Sequence, residues 1–219
     1  MDAPSRSSKE ITEGYAMLVH AIMPASRVNG PGLRCVVFVQ GCTLDCPSCW
    51  NKLSHRFHGT DLAIEEILAE LVNCHRQYSL DGVTLSGGEP MQQAEDLAQL
   101  VQCMRSALPT LSFGMFTGYS EKELETGCYF TRHGVDQDRR RTLWRSIRDQ
   151  LDFAVMGRYN RLQPSHAPMR TSANQALRLF SSRYTESEFG EQTVEITIAA
   201  DGLTRTTGFP TLGNPDQFE

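Results

Sequence analysis

The 219-residue chain lacks a basic excess: 21 Lys and Arg stand against 26 Asp and Glu, for a formal net charge of -5. That balance argues against a nucleic-acid binder, which carries a basic face. No apolar run reaches the roughly 18 residues needed to cross a bilayer. Met1 to Glu10 is polar and has no apolar stretch of the signal-peptide kind. Internal repeats and extended low-complexity tracts are missing too. A second C-x2-C pair, the usual partner of a first in structural zinc sites, is also absent. Seven cysteines are present, an odd number, and three of them lie too close together to staple a fold. A reducing cytoplasm is therefore the expected setting.

What is present concentrates between Gly30 and Asn51, GPGLRCVVFVQGCTLDCPSCWN. Cys42, Cys46 and Cys49 form a C-x3-C-x2-C triplet in a loop directly after the β-branched run Cys35 to Val39. Three thiolates this close can converge on one inorganic centre, an iron–sulfur cluster or zinc with His55 or His58 as fourth ligand. A cluster of four irons needs four ligands, so three cysteines leave one iron open to bind a small molecule. Cys35, Cys74, Cys103 and Cys128 sit inside periodic segments and read as small packed thiols.

Taken in order, residues 1–13 read as a loosely held arm of Pro, Ser and charges. Tyr15 to Met23 reads as an opening strand and Leu33 to Val39 as a second. Asp61 reads as the N-cap of a helix with apolar residues Ile64, Ile67, Leu68 and Leu71 on one face. Val83 to Leu85 forms a short strand delivering Ser86-Gly87-Gly88-Glu89-Pro90. A helix from about Gln93 to Ala107 follows, then the strand Leu111 to Phe116, which delivers Thr117-Gly118-Tyr119. Glu121 to Asp149 holds a short helix, an exposed loop and another helix. Leu151 to Met156 is a further strand, and Arg170 to Gln175 opens a last helix running through Phe180. Alternation about Asp201-Gly202, with Val194, Ile196 and Ile198 on one face, predicts a C-terminal hairpin whose aliphatic side packs on the core.

Strands alternating with helices mean right-handed βαβ units around a parallel sheet. Ligands of such sheets sit outside the carboxyl ends of the strands. The cysteine loop, Gly87-Gly88-Glu89 and Thr117-Gly118 all fall at such ends.

At these residues the chain resembles the radical S-adenosylmethionine superfamily. With VNGPGLRCVVFVQGC before the triplet, CPSCWN at its end and TLSGGEP beyond it, the chain is most similar to the glycyl-radical activases of the anaerobic (class III) ribonucleotide reductase type. The resemblance covers about Tyr15 to Phe180. It implies an incomplete β/α barrel of parallel strands with helices outside, spanning residues 14–182, with residues 183–219 as a hairpin extension. It also implies a 4Fe-4S cluster on Cys42, Cys46 and Cys49, and S-adenosylmethionine as cofactor. Ser86, Gly87, Gly88, Glu89, Thr117, Gly118, Ser172 and Asn174 are the implied cofactor-binding residues. Gly87-Gly88-Glu89 would receive the methionine amino group. One-electron cleavage of the sulfonium would yield a 5′-deoxyadenosyl radical, which takes a hydrogen from a glycine of a partner enzyme. No side-chain acid or base is required. A flavodoxin- or ferredoxin-type reductant is implied, with neither nucleic acid nor membrane as partner. Where the family carries an acid at the strand end matching Val155 to Tyr159 this chain has Met156, and Thr171 and Ala173 depart from its R-G-S-S-N-Q segment. Two other readings stand beside this one: a radical enzyme acting on a peptide or small molecule, and a non-catalytic iron–sulfur or zinc module.

Overall fold

The computed structural model describes residues 14–198, 202 and 204–209. The arm expected at residues 1–13 and Asp201 of the hairpin turn lie outside the described residues. Seven strands form one sheet in the order β3-β1-β2-β4-β5-β6-β7. They are β1 (Ala16–Ser26), β2 (Arg34–Val39), β3 (Asp61–Ala63), β4 (Gly82–Gly87), β5 (Ser112–Thr117), β6 (Phe153–Met156) and β7 (Ala176–Leu179). The central four, β2, β4, β5 and β6, run parallel. The sheet's flanks are antiparallel: β1 pairs with β2 and β3, and β7 with β6. The parallel strands read as β-branched and aromatic runs because both of their faces are covered.

Helices cover one face. They are α1 (Ile64–Tyr78), α2 (Ala94–Ala107), α3 (Glu121–Thr126) and α4 (Gln137–Arg148). Val37, Val83, Leu85, Phe113, Met115 and Ala154 point into this layer and form one core with Ile67, Leu71, Leu97, Leu100, Trp144 and Ile147 of the helices. Helix α4 begins where the Asp136 carboxylate accepts from the Arg139 amide at 2.8 Å, a side-chain cap for an otherwise orphan donor. Helix α1 departs from expectation. Asp61 lies in β3 and pairs with Arg132 (2.8 Å, Nη2 to Oδ2), and the Glu66 carboxylate accepts from the Ala63 amide at 2.8 Å instead. The helix ends at Ser79 in the left-handed region, φ 51°.

The second face of the sheet is layered by its register. The lowest layer aligns Arg34, Gly82 and Ser112, all buried. The middle layer aligns Val36, Thr84, Gly114, Phe153 and Leu179. The top layer, below the carboxyl ends, sets Phe38 beside Ser86 and Phe116 beside Val155. Arg34 is wholly buried without a carboxylate in hydrogen-bonding contact. Its guanidinium donates to Thr84 Oγ1 (2.7 Å), Ser112 Oγ (2.6 Å) and the Val83 carbonyl (2.7 Å). Burial lowers its pKa to about 10, still far above neutrality, so the charge remains.

Residues 170–180 are not a helix. Residues 171–175 form a turn and Ala176–Leu179 pairs with β6. The reason is Gln175: its side chain accepts from the Ser172 amide (3.0 Å) and donates to the Gly157 carbonyl (3.1 Å), which fixes an edge strand beside β6. The hairpin does form, from β8 (Val194–Ile198) and β9 (Thr204–Gly208), as a separate two-stranded sheet. Its aliphatic face is not buried. Ile196 is 62% and Ile198 71% exposed, while Thr207 and Phe209 on the other strand and its exit are buried. The hairpin is held at its open end, where Asn29 Nδ2 donates to Thr207 Oγ1 at 3.0 Å. Phe209 there joins a second core with Phe153, Val155, Leu177 and Phe189.

Candidate functional site

Strand β2 ends at Val39 and the chain then runs as an irregular loop carrying Cys42, Cys46 and Cys49. Non-glycine residues preceding two of these cysteines adopt the left-handed region, Asp45 at φ 46° and Ser48 at φ 60°. Those kinks bend the chain immediately before Cys46 and Cys49. All seven cysteines are free thiols. The amide of Leu44 donates to the Cys42 sulfur at 3.4 Å, and the backbones of Tyr159 and Asn51 donate to Cys46 and Cys49. Backbone donors aimed at sulfur stabilise thiolates and tune whatever they ligate. Burial pushes the Cys42 thiol up to about 12, and the other two upward as well. Cys42 feels the charge of both other thiols and Cys49 that of Cys46. Among the described residues, however, no three His, Cys, Asp or Glu side chains already stand in metal-ligating positions. The fit to a cluster rests on the donor set: three soft sulfurs on one loop, each with a backbone donor. His58, weighed as a zinc ligand, is engaged with Gln40 Nε2 at 3.4 Å.

The Gly87-Gly88-Glu89 loop ends β4, next to β2. Its glycines serve the neighbouring loop directly. The Gly88 amide donates to the Val39 carbonyl (2.8 Å) and that of Glu89 to Gly41 (2.9 Å). A Cβ on Gly88 would meet the Gly41 carbonyl oxygen at 2.4 Å, closer than two such atoms can sit. The cysteine loop and this motif are therefore one unit.

Glu89 is the hub of the rim. It is 1% exposed, and its carboxylate accepts from Thr117 Oγ1 (2.7 Å), the Gly118 amide (2.7 Å) and the Met91 amide (2.9 Å). Burial pushes its pKa up to about 7, against the pull of these donors and of Arg158. Thr117 and Gly118 are thus brought to the motif, and Tyr119 beside them is buried. Ser86 stands half-buried in the top layer of the second face. Ser172 is fully buried and exchanges hydrogen bonds with the Asn160 backbone (2.8 and 3.1 Å). Asn174 donates to the Arg158 carbonyl at 2.8 Å, at the end of β6. Met156 is a core residue, 2% exposed.

Three contributors escaped the sequence reading. Gln92 donates to Thr43 Oγ1 and Tyr119 Oη, both at 2.8 Å, and accepts from the Thr43 amide at 3.0 Å. It so ties the cysteine loop to the end of β5. Gln93 bonds both backbone groups of Leu18 (2.8 and 3.0 Å). Their signal was two adjacent amides opening an apolar helix. Arg158 forms a bidentate pair with Glu123, both contacts 2.8 Å, and stands 5.5 Å from the Tyr119 ring centre. The Arg158 guanidinium holds Glu123 at about 2, and its own charge reaches Cys46. Thirty-five positions separate the two residues, so no local pattern announced the pair.

A cysteine-bearing loop and a glycine-acid motif fused at the carboxyl rim of a parallel sheet define a protein of the single-cluster iron–sulfur class. The chain belongs to the 4Fe-4S single cluster domain family, which matches residues 28–178. Among curated relatives, the anaerobic ribonucleoside-triphosphate reductase-activating protein of Salmonella typhimurium is 38% identical over 116 residues, 49% of this chain and 73% of the relative. The protein of the same name from Enterobacteria phage T4 is 27% identical over 158 residues, 71% of this chain and 90% of its own. A solved structure, QueE from Escherichia coli, is 17% identical with a TM-score of 0.36 over 52% of this chain and 58% of its own.

Proposed function

We propose that this chain is a radical S-adenosylmethionine enzyme of the glycyl-radical-activase type, acting on a partner resembling anaerobic ribonucleotide reductase. The observation that carries the reading is the fusion of the cysteine loop with Gly87-Gly88-Glu89 through Gly41, in a member of a 4Fe-4S family. In this reading Cys42, Cys46 and Cys49 hold the cluster. Ser86 to Glu89, Thr117, Gly118, Ser172 and Asn174 shape the S-adenosylmethionine site, within an incomplete barrel made by residues 14–182, with residues 183–219 as a hairpin extension. A cluster held there would supply one-electron reduction of the sulfonium, the chemistry that yields methionine and a 5′-deoxyadenosyl radical able to take a glycine hydrogen.

The chain's residues bind and orient. Glu89 holds the β4 and β5 loops at a fixed spacing, Gln92 holds the cysteine loop against Tyr119, and Arg158 places a positive charge beside Cys46. Glu89 gives three of its acceptor positions to internal donors, which leaves one on Oε2, together with the loop's backbone carbonyls, to meet the methionine ammonium. The electron comes from a flavodoxin- or ferredoxin-type donor in a reducing cytoplasm, consistent with seven free thiols. Among the described residues no helix is long and apolar enough to cross a membrane.

Anaerobic reconstitution tests the assignment. About four irons and four sulfides per chain are expected, and S-adenosylmethionine should alter the EPR spectrum of the reduced cluster. A Cys42→Ala protein that keeps its whole cluster would overturn it, and a reduced holoprotein that leaves S-adenosylmethionine intact would favour the non-catalytic module. A radical acceptor of peptide or small-molecule type is the second reading. It is motivated by residues 183–209, which lie beyond the matched range 28–178.

A further inference from the structure

The chain just beyond β6 meets the cysteine loop repeatedly. The Tyr159 amide donates to the Cys46 sulfur, and the Tyr159 phenol meets the Trp50 indole. Arg161 Nη1 donates to Ser48 Oγ at 3.2 Å, across 113 positions of sequence. Arg158 stands within electrostatic reach of the same Cys46. The backbone of this strap is held from behind. Asn174 Nδ2 donates to the Arg158 carbonyl, and the Asn160 amide donates to the wholly buried Ser172 Oγ, both at 2.8 Å. The Arg158 side chain has a different anchor, its bidentate pair with Glu123 at 2.8 Å. The charge can therefore be changed without releasing the strap or its amide from Cys46.

Few fixed charges surround the triplet. Glu89 and Asp45 act on Cys46 as negative groups and Arg158 as a positive one, while on Cys49 the positive group is Lys52. Lys52 is solvent-exposed, whereas Arg158 is half-buried, and a partly buried charge is screened less by salt. A 4Fe-4S centre gains one unit of negative charge when it takes up an electron, and its potential follows the charges around it. We infer that the Arg158–Glu123 pair sets the reduction potential of a cluster held by Cys42, Cys46 and Cys49, Arg158 favouring the reduced state and Glu123 trimming that effect. The inference rests on the cluster reading and holds whatever the radical acceptor.

The test is a redox titration of reconstituted full-length protein, followed by the EPR signal of the reduced cluster. Titanium(III) citrate is the reductant and S-adenosylmethionine is left out, so turnover does not enter the readout. At the wild-type midpoint, Arg158→Met should lower the reduced-to-oxidised ratio about three- to tenfold, a shift of roughly 30 to 60 mV for one electron. Glu123→Gln should raise the ratio. Glutamine still closes the capping box with Ser120, so α3 keeps its start. Arg158→Lys, which keeps the charge, should lie nearer to wild type than Arg158→Met. A loosened loop would move the Met and Gln variants the same way, whereas a charge pair moves them apart. With full iron in both, a ratio in Glu123→Gln less than about threefold above that in Arg158→Met overturns the inference. If Arg158→Met takes up no iron, Glu123→Gln against wild type decides, and no rise overturns it. A wild-type chain that takes up neither iron nor sulfide overturns the cluster reading itself, and this inference with it.

Discussion

Glu89 carries a carboxyl whose burial raises its pKa to about 7, against about 4.3 for an unfolded Glu. A folded-state pKa above the unfolded one means the folded protein binds the extra proton between the two values. Stability is therefore full below about pH 4 and falls as pH rises toward 7, by roughly 3–4 kcal/mol if the whole shift is expressed. Urea unfolding from pH 5 to 8 should show this decline, and Glu89→Gln should flatten it. The variant should also start lower by about 1–3 kcal/mol, since an amide nitrogen cannot accept from the Gly118 or Met91 amides. Gly88→Ala makes a different demand. Its Cβ has backbone on the far side, not a movable side chain, so the cysteine loop must shift. Iron content after reconstitution should fall together with S-adenosylmethionine affinity. A Gly88→Ala protein with a full cluster and lost affinity would place the glycine at the cofactor alone.

Among the elements, the hairpin separates two kinds of hydrophobic residue. Ile196 and Ile198 are largely solvent-exposed, so Ile196→Ser and Ile198→Ser should each change stability by less than about 0.5 kcal/mol. Phe209→Ala empties a buried aromatic contact and should cost about 2–4 kcal/mol in urea unfolding. Reversal of that order would mean that the aliphatic face packs on the body in solution. The alternation of Val194, Ile196 and Ile198 announced the strand correctly but not which strand would anchor it. That choice is made by Asn29 and by the ring of Phe116, 178 and 93 positions away from their partners Thr207 and Phe209. The same limit explains residues 176–179. Ala-Leu-Arg-Leu suits helix and strand alike, and the pairing partner β6 decides. The parallel strands, by contrast, were legible because burial on both faces leaves a continuous apolar run that needs no partner to recognise.

At the scale of the molecule, the rim was readable and the interior was not. Cysteine spacing and the Gly-Gly-Glu motif put the candidate residues at strand ends, and the fold brings those ends together through β2 and β4. What binds the rim into one piece, Gln92, Glu89 and the Arg158–Glu123 pair, consists of contacts between distant positions with no local period. The covering of the second face was equally invisible, since Tyr184, Phe189 and Phe209 are single aromatics in polar surroundings. A chain ending after Arg183 should come out insoluble or bind a hydrophobic dye such as ANS, having lost the cover over Phe153; a soluble product that reconstitutes its cluster would show the cover to be dispensable.

The covering segment is also the last described part of the chain to leave the ribosome. Until Tyr184 and Phe189 have emerged, the sheet can be paired and its helices docked while Ser112 and Phe153 lack part of their cover. The order of synthesis thus gives the nascent protein a back entrance that the finished one lacks.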